Sequence, residues 1–189
     1  MRFENVSEAE YMRSGLDKLT DYDSIRLPAR ATEFSAGYDF YSPMSFSLLP
    51  GQSIKFPTGI RVLLDEDKFL LMAPRSGLGF KYRLQLDNTI GIIDADYSNS
   101  DNEGHIQIKI TNDSRDGDRL VANKGEAIAQ GIILQYYKTE DDQASGIRNG
   151  GFGSTTRLCY SDTNGAPYDN ENRVVAVSMD KVECLPEEK

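Results

Sequence analysis

The sequence predicts an all-β fold, a barrel or a sandwich, with one short helix near its start. Ile106, Ile108 and Ile110 alternate with polar residues, which is the period-two pattern of a strand with one buried face. Further apolar runs of strand type lie at 54–62, 69–72, 128–135 and 174–177. Turn pairs such as Pro50-Gly51 separate these runs, and many short strands divided by turns are typical of all-β domains.

The helix is expected somewhere within residues 7–19. Ser7 is a favourable N-cap, and Glu10 stands three residues later, as a capping box requires. Val6 and Tyr11 occupy the two positions of a hydrophobic staple, and Gly15 weakens or ends the helix. The pattern predicts local structure only, and we assign this helix no functional role.

Composition limits the classes of function. A chain of 189 residues fits one domain, and its formal net charge of −9 repels nucleic acids and anionic membranes. It has one His and two Cys without the spacing of a zinc site. We find neither an apolar run long enough to span a membrane nor the pattern of a secretion signal. We therefore expect a cytoplasmic protein with neither a nucleic acid nor a membrane as partner.

The expected domain covers residues 1–155, including the N-terminal helix and a glycine-rich arm. Residues 156–189 form a C-terminal extension that we assign to the same domain. Two polar stretches stand apart from the strands: 98–104 is rich in Ser, Asn and Asp, and 139–153 is acidic and then glycine-rich. His105 follows the first stretch and is interpreted as a surface residue.

Two segments carry groups that a core does not need. Arg75, Ser76 and Gly77 offer a guanidinium, a hydroxyl and free backbone N–H groups at one turn, which suits a phosphate if a helix opens there. Asp94 ends an apolar strand, where a carboxylate can serve as a general base. Taken singly, each segment also fits a plain structure, a capped turn in the first case and a solvated acidic turn in the second.

Two further positions are ambiguous on their own. Asp39 lies in what looks like a turn entering a strand, where it is either exposed or capping. Gln130 interrupts the apolar run 128–134, so it either faces solvent by alternation or serves a site.

The glycine-rich arm adds a third chemical element. Arg148 supplies charge, Phe152 a flat face for stacking on a base, and Ser154 and Thr155 hydroxyl donors, although the segment could also be a flexible linker. Together, the turn, the strand-end carboxylate and this arm indicate a nucleotide with several phosphates. Because the net charge opposes such a ligand, the site needs Arg, backbone N–H groups and a divalent ion to offset it.

Five motifs in this order resemble those of the homotrimeric, all-β dUTPase family. They read SAGYDF at 35–40, PRSGLGFKY at 74–82, GIIDADY at 91–97, KGEAIAQGII at 124–133 and RNGGFGST at 148–155. The resemblance implies a β-barrel of the jelly-roll type. It also implies a reaction, the Mg²⁺-dependent hydrolysis of dUTP to dUMP and pyrophosphate, and a homotrimer whose active sites are shared between subunits.

The resemblance also assigns roles in the reaction. Asp94 is implied to orient and deprotonate the water that attacks the α-phosphorus, and Arg75 to hold that carboxylate. Ser76 and Gly77 are implied to bind phosphate. Asp39 is implied to bind the metal indirectly, through water or through Arg75.

Nucleotide recognition is assigned in the same way. The segment 84–94 is implied to form a hairpin that receives uracil, with the base edge read by Asn88 and by backbone groups. Tyr97 is implied to pack beneath the deoxyribose and to leave no room for a 2′-hydroxyl. The remaining substrate-binding residues implied by the family pattern are Gly91, Ile92 and Ile93 of the hairpin, Gln130 at a phosphate, Phe152 over the uracil, Gly153 of the same arm, and Arg148, Ser154 and Thr155 at the γ-phosphate.

Two alternatives stay open at this point. The first is a dCTP deaminase of the same fold. The second is a dUTPase with an added role in binding a regulatory protein partner, for which the loop 98–105 and the tail 156–189 are the candidate surfaces. The long loop after Tyr97, the spacing between Arg148 and Phe152 and the C-terminal extension resemble phage and viral members of the family. A phage-encoded protein would act in the host cytoplasm.

Overall fold

The structure is a computed structural model that describes residues 1–148 and four two-residue strands beyond them. It divides into two compact units, Met1–Gly150 and Gly151–Lys189. In the described residues of the second unit, Tyr160–Ser161 (β13) pairs with Pro167–Tyr168 (β14), and Val177–Ser178 (β15) pairs with Lys181–Val182 (β16). The predicted strand at 174–177 therefore meets a described strand only at Val177. Assignment of the tail to the same domain stays a prediction.

The first unit is built from short strands, as predicted. Its strands are Arg2–Asn5 (β1), Ala29–Arg30 (β2), Tyr38–Tyr41 (β3), Phe46–Leu48 (β4), Ser53–Pro57 (β5), Ile60–Leu63 (β6), Lys68–Pro74 (β7), Gln85–Leu86 (β8), Gly91–Asp94 (β9), Gln107–Thr111 (β10), Leu120–Ala122 (β11) and Ala127–Gln135 (β12). Its helices are Glu8–Arg13 (α1) and Ser76–Tyr82 (α2), with 3₁₀ turns at Leu16–Lys18, Tyr22–Ser24 and Ala95–Asn99.

These strands form one large sheet and three small ones. The large sheet has the order β2-β3-β12-β7-β9, and each described pair in it is antiparallel. The others are β5-β10-β8, β1-β6 and β11-β4. The isoleucines that alternate along β10 are all buried, so the period-two pattern did identify its core face.

A single apolar core joins the sheets of this unit. The largest of its fully buried side chains are Phe40, Phe56, Leu70, Ile106, Ile108, Ile110, Leu120 and Ile128. Burial of this kind is the main favourable contribution to folding. A second cluster of Val6, Tyr11 and Leu16 holds the N-terminal segment. No helix among the described residues has the length and apolar character needed to cross a membrane.

Helix α1 begins where the sequence predicts, but its cap differs in one respect. The Ser7 hydroxyl accepts the Glu10 backbone N–H at 3.2 Å, and both staple residues are buried. The reciprocal bond of a capping box is missing, because the Ser7 N–H donates to Glu103 Oε2 at 2.9 Å instead. The Glu10 carboxylate is engaged elsewhere, with His105 and Arg13. A residue 96 positions away thus completes the cap.

Candidate active site

The outer face of the large sheet carries the predicted polar groups at two separate places. Leu70 and Met72 of β7 point into the core, so Phe69, Leu71 and Ala73 face outward. Across the sheet, Ala73 stands opposite Gln130, and Gln130 stands opposite Asp39. At the other end of β7, Phe69 stands opposite Asp94. Most of the length of β7 separates the two groups.

Arg75 and Asp39 form an ion pair at the first of these places. Arg75 Nε lies 3.2 Å from Asp39 Oδ1, and the Asp39 side chain is only 14% exposed. Helix α2 begins at the next residue, and Ser76 and Gly77 are exposed. The structure therefore presents a guanidinium, a hydroxyl and free backbone N–H groups side by side, which is the donor set that the sequence predicted.

Gln130 ties the strand β12 to this turn. Its side-chain amide donates to the Pro74 carbonyl at 3.1 Å, which fixes the direction of the side chain. Its Oε1 lies against Gly37, where an added Cβ would stand only 2.5 Å from that oxygen. A larger residue at this position would displace the Gln130 amide from its present place. Sequence alternation left the orientation of Gln130 open, and the structure directs it towards the predicted phosphate turn.

Asp94 ends β9 with its carboxylate partly open to solvent, the side chain being 45% exposed. Arg148 binds it through Nη2 and binds Asp96 Oδ1 through Nε at 2.8 Å. Two carboxylates two residues apart thus share one guanidinium. Asp96 was not among the predicted site residues, although it lies in the same motif.

The segment predicted to form the uracil hairpin folds into a turn, but its two strands belong to different sheets: β8 pairs with β10, and β9 pairs with β7. Gln85–Leu86 and Gly91–Asp94 flank a tight turn in which the Thr89 N–H donates to the Leu86 carbonyl at 2.8 Å, and Asn88 is exposed at its tip. In the returning strand Gly91 is buried opposite Met72, Ile93 packs on the core, and Ile92 is 57% exposed.

Tyr97 lies just beyond this strand, at the edge of the same region. It is only 5% exposed, and its hydroxyl donates to the His105 carbonyl at 3.2 Å while accepting from Asn102 Nδ2 at 2.9 Å. Burial raises the pKa of the Tyr97 phenol, against the opposing effects of the Asn102 hydrogen bond and the nearby Arg148 charge.

The interpretation of His105 as a surface residue is wrong. Its side chain is completely buried, with Nδ1 2.8 Å from Glu10 Oε1 and Nε2 accepting the Gly59 N–H at 2.8 Å. The polar residues that precede it in sequence suggested exposure. Both ring nitrogens, however, have hydrogen-bond partners 46 and 95 positions away. Burial therefore leaves neither nitrogen unpaired, and the imidazole can lie in the core without a large cost in free energy. No local sequence signal pointed to these partners.

One implied contact is not made within the chain: Arg75 does not hold the Asp94 carboxylate. Asp94 stands level with Phe69, and six residues at roughly 3.3 Å each place Arg75 about 20 Å further along the strand direction. No Arg side chain spans that distance. The partner of Asp94 in this chain is Arg148, and the partner of Arg75 is Asp39. Contact between the first two groups requires a second copy of the chain.

The remaining predicted site residues, Phe152, Gly153, Ser154 and Thr155, lie outside the described residues, as do both cysteines.

The comparisons with known proteins agree with this arrangement of motifs. The dUTPase family model matches residues 23–156. A relative from Lactococcus lactis, named deoxyuridine 5′-triphosphate nucleotidohydrolase, is 37% identical over 146 residues, which are 75% of this chain and 96% of the relative. The chain belongs to the dUTPase family. The predicted family and reaction class are thereby confirmed.

Solved dUTPase structures confirm the predicted fold. The crystal structure of the dUTPase from Streptococcus mutans superposes with a TM-score of 0.58 at 28% identity, covering 74% of this chain and 99% of that one. The dUTPase of Staphylococcus bacteriophage 80alpha, solved with dUpNHpp, gives a TM-score of 0.52 at 26% identity, with coverage of 72% and 94%. The trimeric state and a phage or viral origin stay predictions, as does a regulatory protein partner.

Proposed function

We propose that this dUTPase cleaves dUTP between the α- and β-phosphates with Asp94 as the general base. The observation that supports this role is the position of the carboxylate, at a strand end, half open to solvent and next to the uracil hairpin and Tyr97. A water bound to Asp94 attacks the α-phosphorus. Its oxygen forms the new P–O bond, its proton passes to the carboxylate, and the bond to the bridging oxygen breaks to release pyrophosphate.

The groups at the other end of β7 would carry the negative charge of the phosphates. Arg75, the Ser76 hydroxyl and the backbone N–H groups at the start of α2 are available, because α2 leaves them exposed. Gln130 would fix this turn in position through Pro74. In phosphoryl transfer, positioning and electrostatic stabilisation supply most of the catalysis, so few reactive side chains are required.

We propose a homotrimer whose sites are shared between subunits, because one chain cannot bring the two halves together. The outer face between them is apolar: Ile132, Leu71 and Ile92 stand in one row across the sheet, and Leu134 is 40% exposed in the next. Burial of this surface against a neighbour would bring Asp94 of one copy to Arg75 of another. The two ends are different surfaces, so the interface is heterologous and has to close into a ring.

Base and sugar selection would come from the hairpin and Tyr97. A tight turn can exclude the methyl group of thymine by its shape, and cytosine would leave fixed donors and acceptors of the hairpin unpaired. Asn88 and the backbone of Gly91, Ile92 and Ile93 would read the base edge. Tyr97 would pack beneath the deoxyribose.

Asp39 would hold Mg²⁺ through water. Its Oδ1 faces Arg75, so the second carboxylate oxygen can accept from a metal-bound water, and Mg²⁺ usually retains several waters beside one or two carboxylates and phosphate oxygens. The residues thus fit the ion. When bound, it would neutralise charge on the phosphates and on the departing pyrophosphate.

Replacement of Asp94 tests the reaction. In Asp94→Asn, pyrophosphate release from dUTP should fall by about 10²- to 10⁴-fold, because a general base contributes in that range. Binding of dUpNHpp, measured by calorimetry, should survive. Asp96→Asn is the matched control, since Asp96 also pairs with Arg148 and is half exposed, and it should keep near-normal turnover. Unchanged turnover in Asp94→Asn would refute the assignment.

A further inference from the structure

The N-terminal helix contacts the site region through His105. Because Gly59 donates its N–H to Nε2, this nitrogen carries no proton, so Nδ1 carries it and donates to Glu10 Oε1. The imidazole is thus neutral, in one tautomer, and held at both ends. Glu10 lies on α1, which precedes the residues matched by the family model.

The backbone of His105 receives the Tyr97 hydroxyl. The phenol therefore ends on a carbonyl whose own residue is anchored by its side chain to α1 and to Gly59. Asn102 binds the same phenol oxygen from the loop 98–105. The direct contacts to the phenol thus come from within the matched region, and the His105 side chain links them to Glu10, which precedes that region.

The loop 98–105 is itself tied to α1. The Glu103 carboxylate accepts from both the N–H and the hydroxyl of Ser7, and the Asp101 carbonyl accepts from Arg13 Nη2 at 2.8 Å. At Gly104 the backbone is left-handed, with φ +73°, and an added Cβ would stand 2.7 Å from Ser98 Cα. At Gly104 the loop therefore passes close to the backbone that follows Tyr97, while Asn102 of the same loop binds the phenol.

We propose that Glu10 and His105 are positioning residues for Tyr97 and so contribute to the discrimination between deoxyribose and ribose. This inference rests on the proposed role of Tyr97 beneath the sugar. Exclusion of a 2′-hydroxyl depends on the ring plane staying within a fraction of an ångström, which requires support by neighbouring packed and hydrogen-bonded groups. Loss of the Glu10 carboxylate leaves His105 Nδ1–H buried without its acceptor, so the imidazole and the carbonyl that holds Tyr97 should shift.

The test compares dUTP and UTP as substrates of the full-length protein. In Glu10→Ala, the ratio of kcat/KM for dUTP to that for UTP should fall about tenfold, a size typical of a lost steric fit. In Glu10→Gln the ratio should return close to that of the unmodified protein, because the amide oxygen can accept from Nδ1. Glu8→Ala is the control: it makes the same change two residues away, at an exposed position on the same helix.

The ratio of the two substrates does not depend on how much of a variant is folded, so general destabilisation leaves it unchanged. A folded Glu10→Ala protein with an unchanged ratio overturns the inference. If that variant does not fold, His105→Gln decides, since His105 is the second proposed positioning residue and links Glu10 to the phenol, and an unchanged ratio there also overturns the inference. If the unmodified protein releases no pyrophosphate from dUTP, the proposed function fails instead.

Discussion

The change of folding stability with acid is expected to depend on one buried side chain, that of His105. Burial and Arg13 lower its pKa, and their effect exceeds the raising effects of Glu10 and Glu103. Protonation would place a hydrogen on Nε2 against the Gly59 N–H, so the folded state resists it. The unfolded chain takes up this proton near its ordinary pKa of about 6.5, whereas the folded chain does so only at lower pH.

We therefore expect stability to fall as pH drops below about 6.5, by at most about 1.4 kcal/mol per pH unit for this one proton. The stabilisation is fully present above the unfolded pKa, where both states are neutral. Urea unfolding between pH 7.5 and 5.5 measures it. His105→Gln, which has no titrating group, should lose most of this slope. An identical slope in both proteins would assign the effect to other groups.

The carboxylates act in a separate pH range. Hydrogen bonding and charge from Arg2 and Arg61 lower the pKa of Glu4, and the contacts with Ser7 and Arg61 lower that of Glu103 despite its burial. Their contribution is present above an unfolded pKa of about 4.3 and is lost as pH falls further. The His105 effect is thus measurable at higher pH without interference from them.

Residues whose partners are close in sequence were predictable. Ser7 caps α1 as expected, because the bond joins residues three apart. The roles of Glu10, Glu103 and His105 were not, because each depends on the packing of α1 against the loop 98–105, and no pattern within a short window reports such a contact. The wrong assignment of His105 and the incomplete capping box have this one cause.

At the scale of elements, the segment that leads to Arg148 meets β9 at the predicted catalytic carboxylate. In this structure the guanidinium pairs with both Asp94 and Asp96 and lies near Tyr97. For Arg148 to bind a γ-phosphate, it has to exchange these carboxylates for the nucleotide. A ligand with a γ-phosphate and a ligand without one can therefore distinguish a contact of Arg148 with the γ-phosphate from its contact with Asp94.

Arg148→Ala should weaken binding of dUpNHpp by about tenfold or more, because a charge-assisted hydrogen bond is worth roughly 1.5–3 kcal/mol. Binding of dUDP, which has no γ-phosphate, should change little. Titration calorimetry with both ligands measures the difference, and Lys138→Ala, at an exposed cation earlier in the same segment, is the control. Equal weakening of both ligands would contradict the γ-phosphate role and place Arg148 at Asp94 alone.

Strand identity and strand register differ in how far the sequence determines them. The runs at 69–72 and 128–135 became β7 and β12, because alternation and β-branched residues are local properties. The pairing of Phe69 with Asp94 is a property of two strands together, and it alone decides that Arg75 lies far from Asp94. For that reason motif content could predict the residues of both halves of the candidate site, but not how far apart the two halves lie within one chain.

At the scale of the whole molecule, the separation has a consequence for assembly. Each complete site would take Asp94 from one subunit and Arg75 from another. Asp94→Asn and Arg75→Ala subunits should both be nearly inactive alone. A mixed assembly regains a site wherever an Arg75→Ala subunit supplies Asp94 and an Asp94→Asn subunit supplies Arg75. Chance pairing in an equal mixture gives this arrangement at about one quarter of the sites.

We therefore expect an equal mixture of the two variants, unfolded and refolded together, to recover about one quarter of the normal rate of pyrophosphate release. Mixing without refolding should recover little if subunits do not exchange, and it serves as the control. Each variant refolded alone shows how much activity the refolding procedure restores without mixed subunits. If every site were contained in one chain, each site would keep its defect in any mixture. Absence of recovery in mixed assemblies of confirmed composition would therefore rule out the shared site.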